Sequence, residues 1–308
     1  MRGLNPRQIE AFRAVVLTGG VGMAAKLINV TQPAVSRMIR DLQQQVGLTL
    51  FERRGTGLVP TSEALSLYAE VERAFVGLDR ISQMATELRT RRAGFLRIAA
   101  LPALANGFLP RFAGRFLIER PKLDLVLSGL VSHAVVAAVA QGQCDLGFAE
   151  GSIEHAAVRL ERMLPAPYMA VLPQDHRLAR KTRLRPVDFE GESFISLGHS
   201  SVSRFRIDRV FADHGVRRVM RIETPLSEIA CSLAGSGAGI TLCDPFTATE
   251  YATRGIVVRP FEPRVDFEFA ALYAAQRTPP PVAREFIDNF QAHIMTFLRQ
   301  LARRAPSS

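Results

Sequence analysis

A chain of 308 residues, 47% of them hydrophobic, is long enough for two or three domains with proper cores and too apolar to be disordered. No apolar run approaches membrane-spanning length, so no membrane helix or membrane partner is expected. Lys and Arg (39) outnumber Asp and Glu (29), and the resulting net charge of +10, with a pI of about 10.4, favours a polyanionic partner.

The first residues, MRGLNPRQIEAF, lack an apolar signal core and read as the start of a folded helix, so a cytoplasmic location is expected. Val21 to Phe51 then carries the logic of a helix-turn-helix. Met23 to Leu27 is a short helix of small, apolar side chains that another helix can cross closely. Ile28, Asn29 and Val30 form a tight turn. Thr31 is placed to cap a second helix, with Pro33 in its first turn, where a missing N–H costs nothing. Within that helix Ala34, Val35, Met38, Ile39, Leu42 and Val46 recur at helical spacing and predict a buried stripe. The opposite face displays Gln32, Ser36, Arg37 and Arg40, donors that can reach base edges and phosphates in a DNA major groove. Arg53 and Arg54 precede Gly55-Thr56-Gly57, a tip suited to a backbone or minor-groove contact. Residues 1–95 hold thirteen basic and eight acidic side chains, half of the whole surplus. Solubility explains that charge equally well, so the motif decides for DNA.

Thr61 to about Arg92 contains no Pro, and Gly77 is its only glycine. Leu65, Tyr68, Val71, Phe75, Leu78, Ile81, Met84 and Leu88 fall three or four residues apart and predict one long amphipathic helix. It is either an ordinary core helix or, following a reader that needs two copies for two half-sites, a dimerising one; the second reading is preferred. Arg89, Arg91, Arg92, Ala93 and Gly94 break it.

From Phe95 short apolar strands alternate with helices: FLRIAAL (95–101), LDLVLSGL (123–130) and DLGFAE (145–150) around helices through Phe112 and from Ser132 to Gln141. A second unit runs through YMAVLP, FISLG (194–198), a helix at Arg204 to His214, a strand near Val219 to Ile222, a helix at Leu226 to Ala234 and GITLCD (239–244). The chain returns through FEFAALY (267–273) to a last amphipathic helix through Phe286, Phe290, Ile294 and Phe297. The first three strands read as a βαβαβ unit with a parallel sheet and right-handed crossovers, and the whole pattern predicts two α/β lobes joined by two crossing segments, with a ligand crevice beyond the carboxyl ends of the strands.

These residues resemble LysR-type transcriptional regulators over nearly the whole chain. The N-terminal matches are Arg7-Gln8, Phe12, Gly19, Ala24 to Leu27, Thr31 to Arg37, Leu50 to Arg53 and Pro60-Thr61. Gly20 and Gly22 depart from the family, which usually has Ser followed by a polar residue at the start of the first motif helix. The C-terminal half resembles the branch holding the octopine and nopaline catabolism regulators and the regulator of diaminopimelate decarboxylase. It does so through Arg97 to Ala100, Pro102 to Gly107, Leu109 to Phe112, Glu192 to Leu197, Arg217-Arg218, Gly237 to Ile240, Asp244-Pro245 and Val257 to Phe261. The resemblance implies a winged helix-turn-helix (1–60), a linker and dimerisation helix (61–93) and a two-lobed, periplasmic-binding-protein-like α/β effector domain (94–308). Lobe I would span about 94–165 and 265–308, and lobe II about 166–264. It further implies double-stranded promoter DNA, a homodimer or homotetramer, RNA polymerase as a further candidate partner, and an amino acid or its derivative as effector.

The candidate effector-binding residues are Leu101, Pro102, Ala103, Leu104, Ser128, Gly129, Ser132, Glu150, Ser196, Ser200, Ser201 and Asp244. Helix N-termini near Pro102, Ser132 and Ser200 can take a carboxylate, leaving Glu150 to pair with a cationic nitrogen. Helix capping is the competing role of each serine. Six scattered His, no GxSxG elbow and no HExxH argue against an enzyme, and GSGAG (235–239) lies between helix and strand, the wrong order for a dinucleotide loop. Cys144, Cys231 and Cys243 form no CxxC pair, so neither metal nor other cofactor is expected. The remaining rival is a solute-binding transport receptor, which shares the two-lobed architecture.

Overall fold

The computed structural model describes residues 3–54, 57–90, 94–151, 153, 155–199 and 202–304, with side chains except at 54, 57, 76, 79, 80, 82–84, 86–90 and 304. The chain divides into two compact units at Arg89/Thr90.

In the first unit, Asn5 caps α1 (Pro6–Thr18) by accepting from the Arg7 N–H at 3.0 Å, and Gly19 closes it at φ 71°. The small buried Ala24 and Ala25 let α2 (Val21–Leu27) pack closely between α1 and α3 (Gln32–Val46). Asn29 makes the intervening turn at φ 54°, and Val30 N–H bonds back to Ala25 O at 3.0 Å. Val35, Ile39 and Leu42 are buried as the spacing predicts. Gln43 Oε1 accepts from the N–H groups of Leu50 (2.7 Å) and Phe51 (3.2 Å), which fastens the two-stranded wing of β1 (Phe51–Arg54) and β2 (Gly57–Pro60) to α3.

Thr61 caps α4 (Ser62–Thr90), accepting from Ala64 N–H at 3.1 Å. The helix is found, but its apolar stripe divides. Ala64 and Val71 are buried, and Leu67, Tyr68 and Phe75 pack beside them on the core of α1 and α3. Arg13 ties this half down, with Nε 2.5 Å from Glu72 Oε1 and its guanidinium over the Phe75 ring. Leu65, Leu78 and Ile81, expected on the same stripe, are 54%, 53% and 66% exposed. The side chains of Met84 and Leu88, and residues 91–93 of the basic break, lie outside those described.

The second unit holds two lobes. Lobe I contains β3 (Phe95–Ala100), α5 (Pro102–Ala105), α6 (Phe108–Ile118), β4 (Asp124–Gly129), α7 (Ser132–Ala140), β5 (Leu146–Glu150) and β6 (Val158–Arg162). Two short strands, β7 (Ala166–Pro167) and, later in the chain, β13 (Asp266–Phe267), pair antiparallel as the crossing segments. Lobe II lies between them in sequence: β8 (Met169–Pro173), β9 (Ser193–Leu197), α8 (Val202–Asp213), β10 (Val219–Thr224), α9 (Ser227–Gly235), β11 (Thr241–Cys243), α10 (Pro245–Tyr251) and β12 (Ile256–Pro260). The chain returns to lobe I as β14 (Phe269–Ala274) and α11 (Pro281–Arg304).

The lobe I sheet has the order β4-β3-β5-β14-β6. Its first three strands are parallel, as helical crossovers require, but β14 pairs antiparallel with both β5 and β6. Lobe II combines parallel β9 and β10 with antiparallel β11-β8-β12. The parallel sheet expected of the βαβαβ unit is thus found in β3, β4 and β5, and β14, which arrives from the other lobe and needs no crossover helix, adds to it antiparallel. Strands β6 and β12 and helix α10 are further elements the sequence reading did not place. GSGAG ends α9 and turns through Gly237 at φ 83°.

Phenylalanines fill the core beneath the lobes. Phe290 of α11 lies 5.1 Å from Phe112 and 5.0 Å from Phe148, and Phe108 lies 4.7 Å from Phe246 of lobe II. Gly147 has no alternative, because a Cβ there would stand 2.7 Å from Val139 and 2.8 Å from Val135 where α7 crosses β5. Among the described residues no helix is long and apolar enough to cross a membrane, and no cluster of three His, Cys, Asp or Glu could hold a metal.

Candidate DNA-reading helix and ligand cleft

Burial of Val35, Ile39 and Leu42 turns the opposite face of α3 outward. Gln32, Pro33, Arg37 and Arg40 are exposed, and Ser36 is half-buried. The Arg37 side chain is 81% exposed and makes only a loose ion pair with Asp41, at 3.7 Å. Thr31 occupies the N-cap position, but its hydroxyl makes no capping bond; Val35 N–H reaches its carbonyl instead, at 3.1 Å. Arg53 is exposed on β1. Arg54 ends that strand, and its side chain, like residues 55 and 56, lies outside those described.

In the second unit a cavity of about 340 Å³ opens between the lobes. Lobe I contributes Leu101, Pro102 and Ala103 after β3, Val131, Ser132 and His133 at the start of α7, and Glu150 and Ile153 after β5. Lobe II contributes Leu197, Val202, Pro225, Leu226 and Ser227, and the crossing segments contribute Tyr168 and Phe267. Ser132 Oγ accepts the Glu150 N–H at 3.2 Å, so one hydroxyl joins the start of α7 to the end of β5.

Five of the expected residues therefore meet in one cavity: Leu101, Pro102, Ala103, Ser132 and Glu150. Leu104 instead is fully buried in the core. Ser128 and Gly129 lie on edge strand β4, away from the cavity lining. Ser196 is buried and donates to Leu197 O at 3.1 Å. Asp244 caps α10, accepting the Thr247 N–H at 2.8 Å. Ser200 and Ser201 lie outside the described residues. Helix α5 is a single turn opened by Pro102, which has no N–H to offer, whereas the nine-residue helices α7 and α9 open at Ser132 and Ser227, both in the cavity lining.

Sequence reasoning missed Tyr168, Phe267 and Ser227. Ser227 follows a strand and opens a helix, the same signal that singled out Ser132. Tyr168 and Phe267 carried no local signal, because they converge through the β7–β13 pairing, where Tyr168 N–H bonds to Val265 O at 2.8 Å. Burial holds the Tyr168 phenol well above its ordinary pKa, and the nearby charges of Asp244 and Glu150 act in the same direction, so it stays a hydrogen-bond donor.

Burial also lifts the Asp244 carboxyl to about 6, against the opposing pull of the Thr247 N–H. A carboxyl whose folded pKa exceeds its unfolded value binds its proton more tightly in the native state. That contribution is fully present below about pH 4 and is lost as pH rises through about 6. Asp244→Asn is expected to gain on the parent chain progressively between about pH 4 and 7, by up to about 3 kcal/mol. Melting curves of the two proteins across that range check this, and a pH-independent difference refutes it.

The family model described as the LysR substrate binding domain matches residues 89–294, and that of bacterial regulatory helix-turn-helix proteins of the lysR family matches residues 6–65. The octopine catabolism/uptake operon regulatory protein OccR of Rhizobium meliloti is 43% identical over 290 residues, covering 94% of this chain and 96% of that protein. The regulatory protein NocR of Agrobacterium fabrum is 38% identical over 283 residues, covering 92% and 94%. In fold, the crystal structure of the LysR family transcriptional regulator CbnR is similar with a TM-score of 0.77 at 16% identity, covering 98% of this chain and 99% of that one. The chain therefore belongs to the LysR family: it is a DNA-binding transcriptional regulator with an effector-binding domain, and not an enzyme.

Proposed function

We propose that this regulator binds promoter DNA as a homodimer or homotetramer and responds to an amino acid or amino-acid derivative held between its two lobes. In this reading residues 1–60 read DNA, 61–93 link and dimerise, and 94–308 sense the effector. The observation that carries the ligand reading is the cavity of about 340 Å³, near the lower end of small-ligand sites, on which the N-termini of two nine-residue helices converge with Ser132 and Ser227. Free helical N–H groups favour a carboxylate. The name of the 43% identical OccR, which refers to octopine, supports a ligand of this class. Ligand binding shifts the population between arrangements of the DNA-reading heads, and contact with RNA polymerase converts that shift into transcription. Titration calorimetry of the full chain against a panel of amino acids and their N-carboxyalkyl derivatives tests the reading. Heat from at least one, with an altered DNA footprint, supports it; silence from the whole panel refutes it.

On the DNA side, Gln32, Ser36 and Arg37 carry base discrimination, with Arg40, Arg53 and Arg54 on the backbone. Arg37→Ala is expected to lower affinity for the operator by about 1–3 kcal/mol while changing affinity for random DNA far less. Equal losses on both, measured by fluorescence anisotropy, would assign Arg37 to phosphate.

A further inference from the structure

A second cavity, of about 390 Å³, lies apart from the cleft and shares no lining residue with it. It opens where the end of α11 meets lobe II. Phe286 and Phe290 hold the first half of that helix against Phe112 of lobe I, whereas Leu301, near its other end, packs on the lobe II core that contains Met169. Met169 of β8, Val258 of β12 and Leu301 give the cavity apolar walls. Arg180, Lys181 and Arg259 bring three cations to it, and no Asp or Glu is among the described lining residues.

Arg259 is the fixed point. Its Nε donates to Lys181 O at 2.7 Å, Nη2 to Ala179 O at 2.8 Å and Nη1 to Val258 O at 3.0 Å. Carbonyl oxygens lock the guanidinium in place without neutralising it, so its charge is held ready for an anion. Lys181 is partly offset by an ion pair with Asp188, which stands outside the lining. Arg180 is exposed and has no acidic partner among the described residues. Two acids close in sequence to the lining, Glu250 and Glu262, pair with Arg111 and Arg183. Surface cations alone would suit any polyanion, but a concave apolar wall behind them suits a small molecule with a hydrocarbon part.

We propose that this cavity is a second ligand site, separate from the effector cleft, for a small amphiphilic anion: a carboxylate or phosphate head on a short hydrocarbon body. The head meets Arg180, Lys181 and Arg259, and the body covers Met169, Val258 and Leu301. The volume lies within the range of small-ligand sites. Such a ligand spans α11 and lobe II, so it binds only the folded effector unit and raises its melting temperature.

Titration calorimetry of the full-length protein tests this with octanoate, octyl phosphate, octanol and inorganic phosphate. One octanoate or octyl phosphate per chain is expected, held roughly ten- to a hundredfold more tightly than octanol, which lacks the charge, and than inorganic phosphate, which lacks the chain. The tighter of the two octyl anions names the head group. Arg180 and Lys181 are exposed, so Arg180→Gln combined with Lys181→Gln should fold, as circular dichroism would report. It should lose about tenfold or more of the affinity for the octyl anion and leave octanol unchanged. Ala252→Phe, also at an exposed position in the lining, fills the cavity and should weaken every octyl compound. Octanol matching the octyl anions, affinity unchanged in either variant, or no binding of either anion overturns the second site, and none of these outcomes bears on the amino-acid reading of the cleft.

Discussion

Glutamate at Leu78 or Ile81 is expected to turn the regulator into a monomer that no longer holds an operator of two half-sites. Both side chains project from α4 more than half exposed, while Val71 and Phe75 of the same helix are committed to the core of the DNA-reading unit. Exposed leucine and isoleucine one turn apart on a long helix favour burial against a second helix, worth about 25 cal/mol per Å². An unpaired carboxylate in that contact costs several kcal/mol. Loss of the second head then removes avidity of roughly 10²- to 10⁴-fold. Sedimentation velocity checks the assembly and gel shifts on paired and single half-sites check the binding. A dimer that survives both substitutions removes α4 from the interface.

Phe290→Ala is expected to destabilise the effector-binding unit by about 3–5 kcal/mol, the range for emptying a large aromatic site in a close-packed core. Phe290 has no solvent exposure and stands within 5.1 Å of both Phe112 and Phe148, so α6, β5 and α11 all border the void. Phe108 and Phe286 close its other sides at 5.9 and 6.2 Å. Because the chain has two units, denaturation is followed with probes that report each separately. The transition of the second unit should move and that of the first should not. A shift below about 1 kcal/mol would mean that the cluster collapses around the gap.

How much could be read without coordinates depends on the range of the signal. Asn5-Pro6, Gly19, Thr31 to Pro33 and Gly47 punctuate the reader helices through bonds spanning a few residues, so the helices of the motif were legible in order. The polar face of α3 followed from the phase of Val35, Ile39 and Leu42 alone. In α4 the same period was ambiguous. Ala64, Leu67 and Tyr68 turn to the core, and Leu65, which the chosen phase put on the same stripe as Tyr68, turns out. Helical spacing establishes that a stripe exists but not which neighbouring element will claim it.

The sequence by itself determined the helix-turn-helix, the alternation of strands and helices after Phe95, and the loops from which a crevice would be built, because caps, breakers and periodicity act between neighbours in the chain. Only the tertiary structure decided the antiparallel course of β14, the retreat of Ser196 and Asp244 into the lobes, and the convergence of Tyr168, Phe267 and Ser227 with Glu150. Tyr168 and Phe267 are about a hundred positions apart in the chain and meet across β7 and β13. Contacts of that range arise from strand pairing and core packing of the folded chain, and no local pattern of residues records them.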